Sequence, residues 1–169
     1  MWYNIFIKKK GGSLVEIKVI VRDLLTMPKE YVVAHNIDAH EVALGAGVAK
    51  ALSDKFPGLR NECKKYADEN FNNVGLVYRY TDGEYIIYNM YTKSHVWYNA
   101  MNKMTVEEYL ENTKTCLLLL KEHMIRNNEK LLAIPKIGCG LDRCRWGDME
   151  KLIEYVFADT DIEITVCMI

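Results

Sequence analysis

The stretch that most limits how this chain can fold runs from Leu131 to Asp142, Leu-Leu-Ala-Ile-Pro-Lys-Ile-Gly-Cys-Gly-Leu-Asp. Leu131 to Ile134 form a short apolar run that reads as a buried strand, and Pro135 ends it. Gly138 and Gly140 free the following backbone to turn its N–H groups toward an anion, and Asp142 stands where that anion would lie. After Trp146-Gly147, the apolar residues Met149, Leu152, Ile153, Val156 and Phe157 recur at helical spacing. The loop therefore joins a strand to a helix, the usual ligand-binding position in an open α/β sheet. A phosphate site with chemistry beside it fits this pattern, and so does a tight turn carrying an exposed Asp.

A chain of 169 residues, 50% of them hydrophobic, buries a core that needs no disulfide or metal staple. One domain without a linker is expected over residues 1–169. The 22 basic and 23 acidic residues nearly cancel, so there is no general electrostatic case for binding nucleic acid or an anionic membrane, and phosphate recognition must be local. Five scattered cysteines make a disulfide framework unattractive and favour a reducing, cytoplasmic compartment, or a nucleocytoplasmic one in a eukaryote. Cys139 and Cys144 lack a His or Cys pair at zinc spacing. Met1 to Lys10 is aromatic and then basic, unlike a secretory leader, and no apolar stretch reaches membrane-spanning length.

Trp2 to Ile7 and Leu14 to Val21 alternate apolar residues around a Lys10-Gly11-Gly12-Ser13 turn, which predicts an antiparallel edge. Tyr31 to Ala34 reads as a buried strand, followed by the polar stretch His35 to Glu41. A second glycine loop, Leu44-Gly45-Ala46-Gly47, runs into a helix over about Val48 to Phe56, which Pro57-Gly58 stops. A further helix from Leu59 to Ala67 precedes an Asn-rich turn, and Val74 to Tyr80 with Glu84 to Met90 form a hairpin about Thr81-Asp82-Gly83. Thr105-x-x-Glu108 is a capping box opening a long amphipathic helix that carries Leu117, Leu120 and Met124 on one face. A strand from Ile162 to Cys167 closes an alternation that predicts a mixed α/β sheet covered by helices on both faces.

Two glycine loops after two buried strands can meet at the same strand ends and enclose a diphosphate, although Gly45-Ala46-Gly47 is equally a device for tight helix packing. Neither loop has the Gly-x-Gly-x-x-Gly form, and no Walker A loop is present. Asp23 either accepts from a base amino group or caps the following turn. His35 and His40 share a loop without a third ligand at metal spacing, so polar loop roles are preferred to a metal site. Lys93 follows a strand and precedes Trp97 and Tyr98, aromatics that either wall a pocket, stack on a base or cover a core edge.

Asp23-Leu24, Ala34-His35, Gly45-Ala46-Gly47-Val48-Ala49, Tyr91-Thr92-Lys93 and Lys136-Ile137-Gly138-Cys139-Gly140-Leu141-Asp142-Arg143 occur in an order and spacing that resemble a macro domain. Within that family the chain looks most like the terminal ADP-ribose protein glycohydrolases. The likeness runs from Ile17 to the last residue, is densest from Ile134 onward, and leaves residues 1–16 as an added edge strand and turn. Arg22 replaces the Gly common before the Asp, and His35-Asn36-Ile37-Asp38 replaces the Asn-rich ribose motif.

The resemblance implies a three-layer α/β/α fold with a mixed, mostly parallel sheet, an N-terminal antiparallel edge, and ADP-ribose between the glycine loops. Asp23 would hold the adenine amino group, with Leu24 and the C-terminal Ile169 at the same end. Asn36, Asp38, Gly45, Ala46, Gly47 and Val48 on one side, and Lys136, Ile137, Gly138, Cys139, Gly140 and Leu141 on the other, would contact ribose and diphosphate. Lys93 would be the nucleophile and Asp142 its acid/base partner, hydrolysing ADP-ribosyl esters without a metal or cofactor. The implied partners are ADP-ribose and ADP-ribosylated protein, with a monomer expected. The Thr-Lys followed by His and aromatics is also similar to DNA ADP-ribosyl glycohydrolase antitoxins, which admits modified DNA as substrate. A phosphatase for ADP-ribose 1″-phosphate and a non-catalytic ADP-ribose reader are the alternative roles within the family.

Overall fold

The computed structural model describes residues 3–5, 15, 17–94, 104–140 and 144–168. The expected turn at 10–13, Trp97, Tyr98, Leu141, Asp142, Arg143 and Ile169 lie outside these residues. Among the described residues seven strands form one sheet: β1 (Tyr3–Ile5), β2 (Ile17–Val21), β3 (Val32–Asp38), β4 (Val77–Asp82), β5 (Tyr85–Lys93), β6 (Leu131–Pro135) and β7 (Glu163–Met168). Their order is β1-β2-β7-β6-β3-β5-β4. The five inner strands are parallel, and β1 and β4 are antiparallel edges. The expected N-terminal antiparallel edge is present, and the β4–β5 hairpin supplies a second one.

Among the described residues four α-helices cover the sheet: α1 (Gly47–Lys55), α2 (Leu59–Glu69), α3 (Val106–Arg126) and α4 (Trp146–Phe157). Alternation along β3 sorts its side chains between two layers. Val32 and Ala34 join a core with Leu117, Leu120, Ile153 and Phe157 of α3 and α4. Val33 and Ile37 pack in the opposite layer, where Leu52, Leu59 and Cys63 of α1 and α2 are buried. The predicted capping box opens α3: Glu108 N–H donates to Thr105 Oγ1 at 3.1 Å, and Thr105 N–H donates to Glu108 Oε2 at 2.7 Å.

Two strands run further than the sequence pattern suggests. The polar residues His35 to Asp38 continue β3 because each stays paired with β5, from His35↔Asn89 to Asp38↔Lys93. Lys93 is accordingly the last residue of β5 rather than a loop residue beyond it. On its other side β3 is registered with β6 only at Val32↔Leu132 and Val33↔Ala133. Pro135 ends β6 and has no N–H to extend that ladder. The two central strands therefore separate at their C-terminal ends, and a seam opens in the middle of the sheet.

The far end of α3 is tied to the hairpin by charge. Arg79 Nη2 and Nε donate to Glu129 Oε1 at 2.7 and 3.2 Å, and Tyr88 O–H donates to Glu129 Oε2 at 2.6 Å. The Glu129 side chain is only 9% exposed, so removing it strands a guanidinium and a buried phenol. Glu129→Ala is expected to lower unfolding stability by about 2–4 kcal/mol in urea denaturation, with Glu129→Gln losing less because an amide still accepts from one donor.

Candidate functional site

The seam opens into a cleft of about 620 Å³ at the C-terminal ends of the parallel strands, within the size range of small-molecule sites. One wall is the loop after β3, including Ala43, Leu44, Gly45 and Ala46, with Gly47 and Val48 of α1. The other is Lys136, Gly138 and Gly140 after β6. Leu24, Cys167 and Met168 close one end, and His35, Asn36, Ile37, Asp38, Lys93 and Pro135 complete the lining.

The first loop is held by a carboxylate. Asp38 Oδ1 accepts the N–H groups of Glu41 and Val42 at 2.7 and 2.8 Å. Val42 and Leu44 both adopt left-handed backbone, φ 45° and 43°, which is costly for side chains of this size. Burial of both side chains and the two hydrogen bonds to Asp38 offset that strain. The loop delivers Gly45 and Ala46 to the start of α1, whose N-cap Ala46 makes no side-chain capping hydrogen bond. The first-turn N–H groups and the positive end of the helix dipole are thereby presented at the cleft wall, an arrangement suited to an anion.

The second loop turns tightly over α3. Gly138 has φ 75°, and Cys144 N–H donates to its carbonyl at 2.8 Å. A Cβ placed on Gly138 would lie 2.8 Å from Tyr109 Cε1 and 3.2 Å from Cys144 Cβ. Glycine is required twice over, by the left-handed backbone and by the ring beneath it. Lys136 is exposed at the cleft edge, with Nζ 5.9 Å from the centroid of the Trp146 ring.

Lys93 lines the cleft while only 9% exposed. Its position follows from the end of β3: a register shift lies between Ile37 and Asp38, and Ala39 N–H donates to the Lys93 carbonyl at 2.8 Å. Earlier on the same strand pair, where it is registered with Asn89, His35 is 1% exposed, with Nε2 2.7 Å from Asn89 Oδ1. Asn89 Nδ2 points to the carbonyls of Tyr78 and Ile87, both at 3.3 Å, which fixes Oδ1 as an acceptor and His35 Nε2 as a donor. Burial pushes the imidazole down to about 4, against the opposing pull of the Asn89 hydrogen bond.

Of the residues singled out in the sequence, Leu24, Asn36, Asp38, Gly45, Ala46, Gly47, Val48, Lys93, Lys136, Gly138 and Gly140 line this one cleft. Asp23 is exposed and caps the Leu24–Thr26 turn, accepting Leu25 N–H at 2.8 Å, and it is not part of the lining. Ile137 turns into the core with α3 and α4, and Cys139 is half-buried beside the lining. Asp142, Leu141 and Ile169 lie outside the described residues. His35, Ile37, Ala43, Leu44, Ala49, Pro135, Cys167 and Met168 also line the cleft and were not singled out as site residues. The available signal was alternation carried past Ala34, which puts Val33, His35 and Ile37 on one face of a longer strand.

A parallel sheet that parts between two glycine loops, beside an uncapped helix start, defines a binding domain for a phosphate-bearing ligand. More particularly, the chain belongs to the macro domain family, which residues 34–153 match. It is 37% identical over 147 residues to the ADP-ribose glycohydrolase OARD1 of Homo sapiens, covering 85% of this chain and 86% of that protein. Identity to OARD1 of Bos taurus is 36% over the same length and shares. Among solved structures, the macrodomain of Mycobacterium tuberculosis DarG has a TM-score of 0.75 at 18% identity, covering 90% of this chain and 97% of that one. Thermosipho africanus DarTG in complex with ADP-ribose has a TM-score of 0.69 at 16% identity, covering 89% and 41%. Both share the fold described above.

Two outcomes follow from this geometry. Gly138→Ala should destabilise the protein by about 2–4 kcal/mol in thermal or urea unfolding and weaken ligand binding at the second loop. His35, with a folded-state value of about 4 against 6.5 in its unperturbed form, takes up a proton more readily in the unfolded chain. Its contribution to stability is complete above about pH 6.5 and is lost as pH falls toward 4. Urea midpoints measured at about pH 7.5 and about pH 5 should therefore drop further for the parent than for His35→Gln.

Proposed function

We propose that this macro domain binds ADP-ribose in the cleft and hydrolyses ADP-ribosyl esters, releasing ADP-ribose from modified macromolecules. The observation that carries the reading is Lys93: a lysine only 9% exposed at the end of β5, lining a cleft shared by both glycine loops. The uncapped start of α1 and the loop about Gly138 suit a diphosphate, and the apolar end at Leu24, Cys167 and Val48 suits a flat base. The glycohydrolase names of the relatives above support the same reading. The near balance of charge, net −1, favours modified protein over a substrate with a large DNA footprint.

In an ADP-ribosyl ester the anomeric carbon is bonded to the oxygen of a protein carboxylate. The neutral Lys93 amine attacks that carbon, the carbon–oxygen bond breaks, and the carboxylate leaves with the bonding pair. Water then resolves the sugar–lysine adduct, releasing ADP-ribose and the amine. Asp142 assists by accepting a proton from the amine nitrogen as the new bond forms. The diphosphate contacts supply positioning, with binding energy collected away from the reacting carbon used to hold it within reach of the amine.

Lys93→Ala is expected to retain ADP-ribose binding by calorimetry while release of ADP-ribose from a glutamate-modified protein, followed by mass spectrometry, falls by at least about 100-fold. Equal release by parent and variant would remove the covalent role.

A further inference from the structure

One buried residue that lines the cleft, His35, is not used by the mechanism. His35 lies on β3, paired with Asn89 of β5, the strand that ends at Lys93. The residue lines the cleft, its Nε2–H is committed to Asn89 Oδ1 at 2.7 Å, and its Nδ1 is buried without a hydrogen-bond partner among the described residues. Asn89 cannot turn its amide to change this, because Nδ2 is engaged by two backbone carbonyls. The tautomer is therefore set from below, and Nδ1 carries a lone pair. Buried acceptors are ordinarily satisfied, and one left over beside a ligand cleft points to a donor that arrives with the ligand.

We propose that His35 is a ligand-reading residue whose Nδ1 accepts a hydrogen bond from a sugar hydroxyl. This rests on the reading of the cleft as an ADP-ribose site. The rest of the lining leaves the hydroxyl as the matching group. Phosphate oxygens are acceptors and belong with the N–H groups of the two glycine loops, while a flat ring belongs with Leu24, Val48 and Cys167 at the apolar end. A neutral imidazole lone pair repels an anionic oxygen, so this position selects a free hydroxyl against a phosphorylated one. Nδ1 is covered by neighbouring atoms, so the contact requires a small side-chain rotation of the kind that commonly accompanies binding. Asn89 acts through His35, as a positioning residue.

The test is a long-range ¹H–¹⁵N spectrum of histidine-labelled protein during titration with ADP-ribose, with the backbone amides of Gly45 and Gly47 reporting cleft occupancy. The expected result is a free protein with His35 protonated at Nε2 alone, and an Nδ1 resonance that moves upfield as the glycine amides saturate. In parallel, His35→Phe should weaken ADP-ribose about five- to tenfold, with His35→Gln recovering part of the loss through its amide oxygen. Saturation of the glycine amides with an unmoved Nδ1, or a proton on Nδ1, overturns the proposal while leaving the ADP-ribose reading intact. Glycine amides that do not respond to ADP-ribose overturn that reading and this one with it.

Discussion

The arrangement of this domain depends on the place where hydrogen bonding between β3 and β6 stops. Both strands are central, and both are paired along their length on the outer side, β3 with β5 across one register shift and β6 with β7. Between them the ladder is registered at only two positions before the strands diverge. A parallel sheet buried on both faces ordinarily cannot tolerate unpaired backbone in its middle. Here the interruption lies at the strand ends, where Pro135 removes one donor and two loops carry the chain away from the gap. The cleft is thus a property of the backbone first, and its side chains are arranged around an opening that already exists.

Holding such an opening has local costs, and their compensation is visible residue by residue. Val42 and Leu44 sit in left-handed backbone, and the Asp38 carboxylate secures the turn by taking two of its N–H groups. Gly138 takes up the corresponding strain on the opposite side, over the ring of Tyr109. The electrostatics follow the same division. Amide-rich loops and the start of α1 favour negative charge at the rim, whereas burial favours the neutral imidazole at His35.

Much of this was legible in the sequence, for reasons that differ by element. The capping box at Thr105 and the apolar spacing of α3 and α4 report local physics, and those helices form where the pattern places them. The glycine loops were legible because glycine after a buried strand frees the backbone to turn, although tight packing and a plain turn fit the same pattern. The polar end of β3 was not: His35-Asn36-Ile37-Asp38 reads as loop by composition, and its strand geometry comes from pairing with β5, whose partners lie 54 residues away from His35 and outside any local window. The same pairing moved Lys93 from a loop onto the last position of a strand. Asp38 was legible as a polar residue near the site, but its grip on Glu41 and Val42 depends on a turn that only the tertiary fold imposes.

The proline at the end of β6 has a consequence for how this architecture tolerates change. An opening made by an absent N–H does not depend on the size or charge of any particular side chain, so the residues around it can drift widely without closing it. What a ligand meets first in this domain is an interruption in a ladder, and the chemistry that distinguishes one relative from another can be written onto its borders one residue at a time.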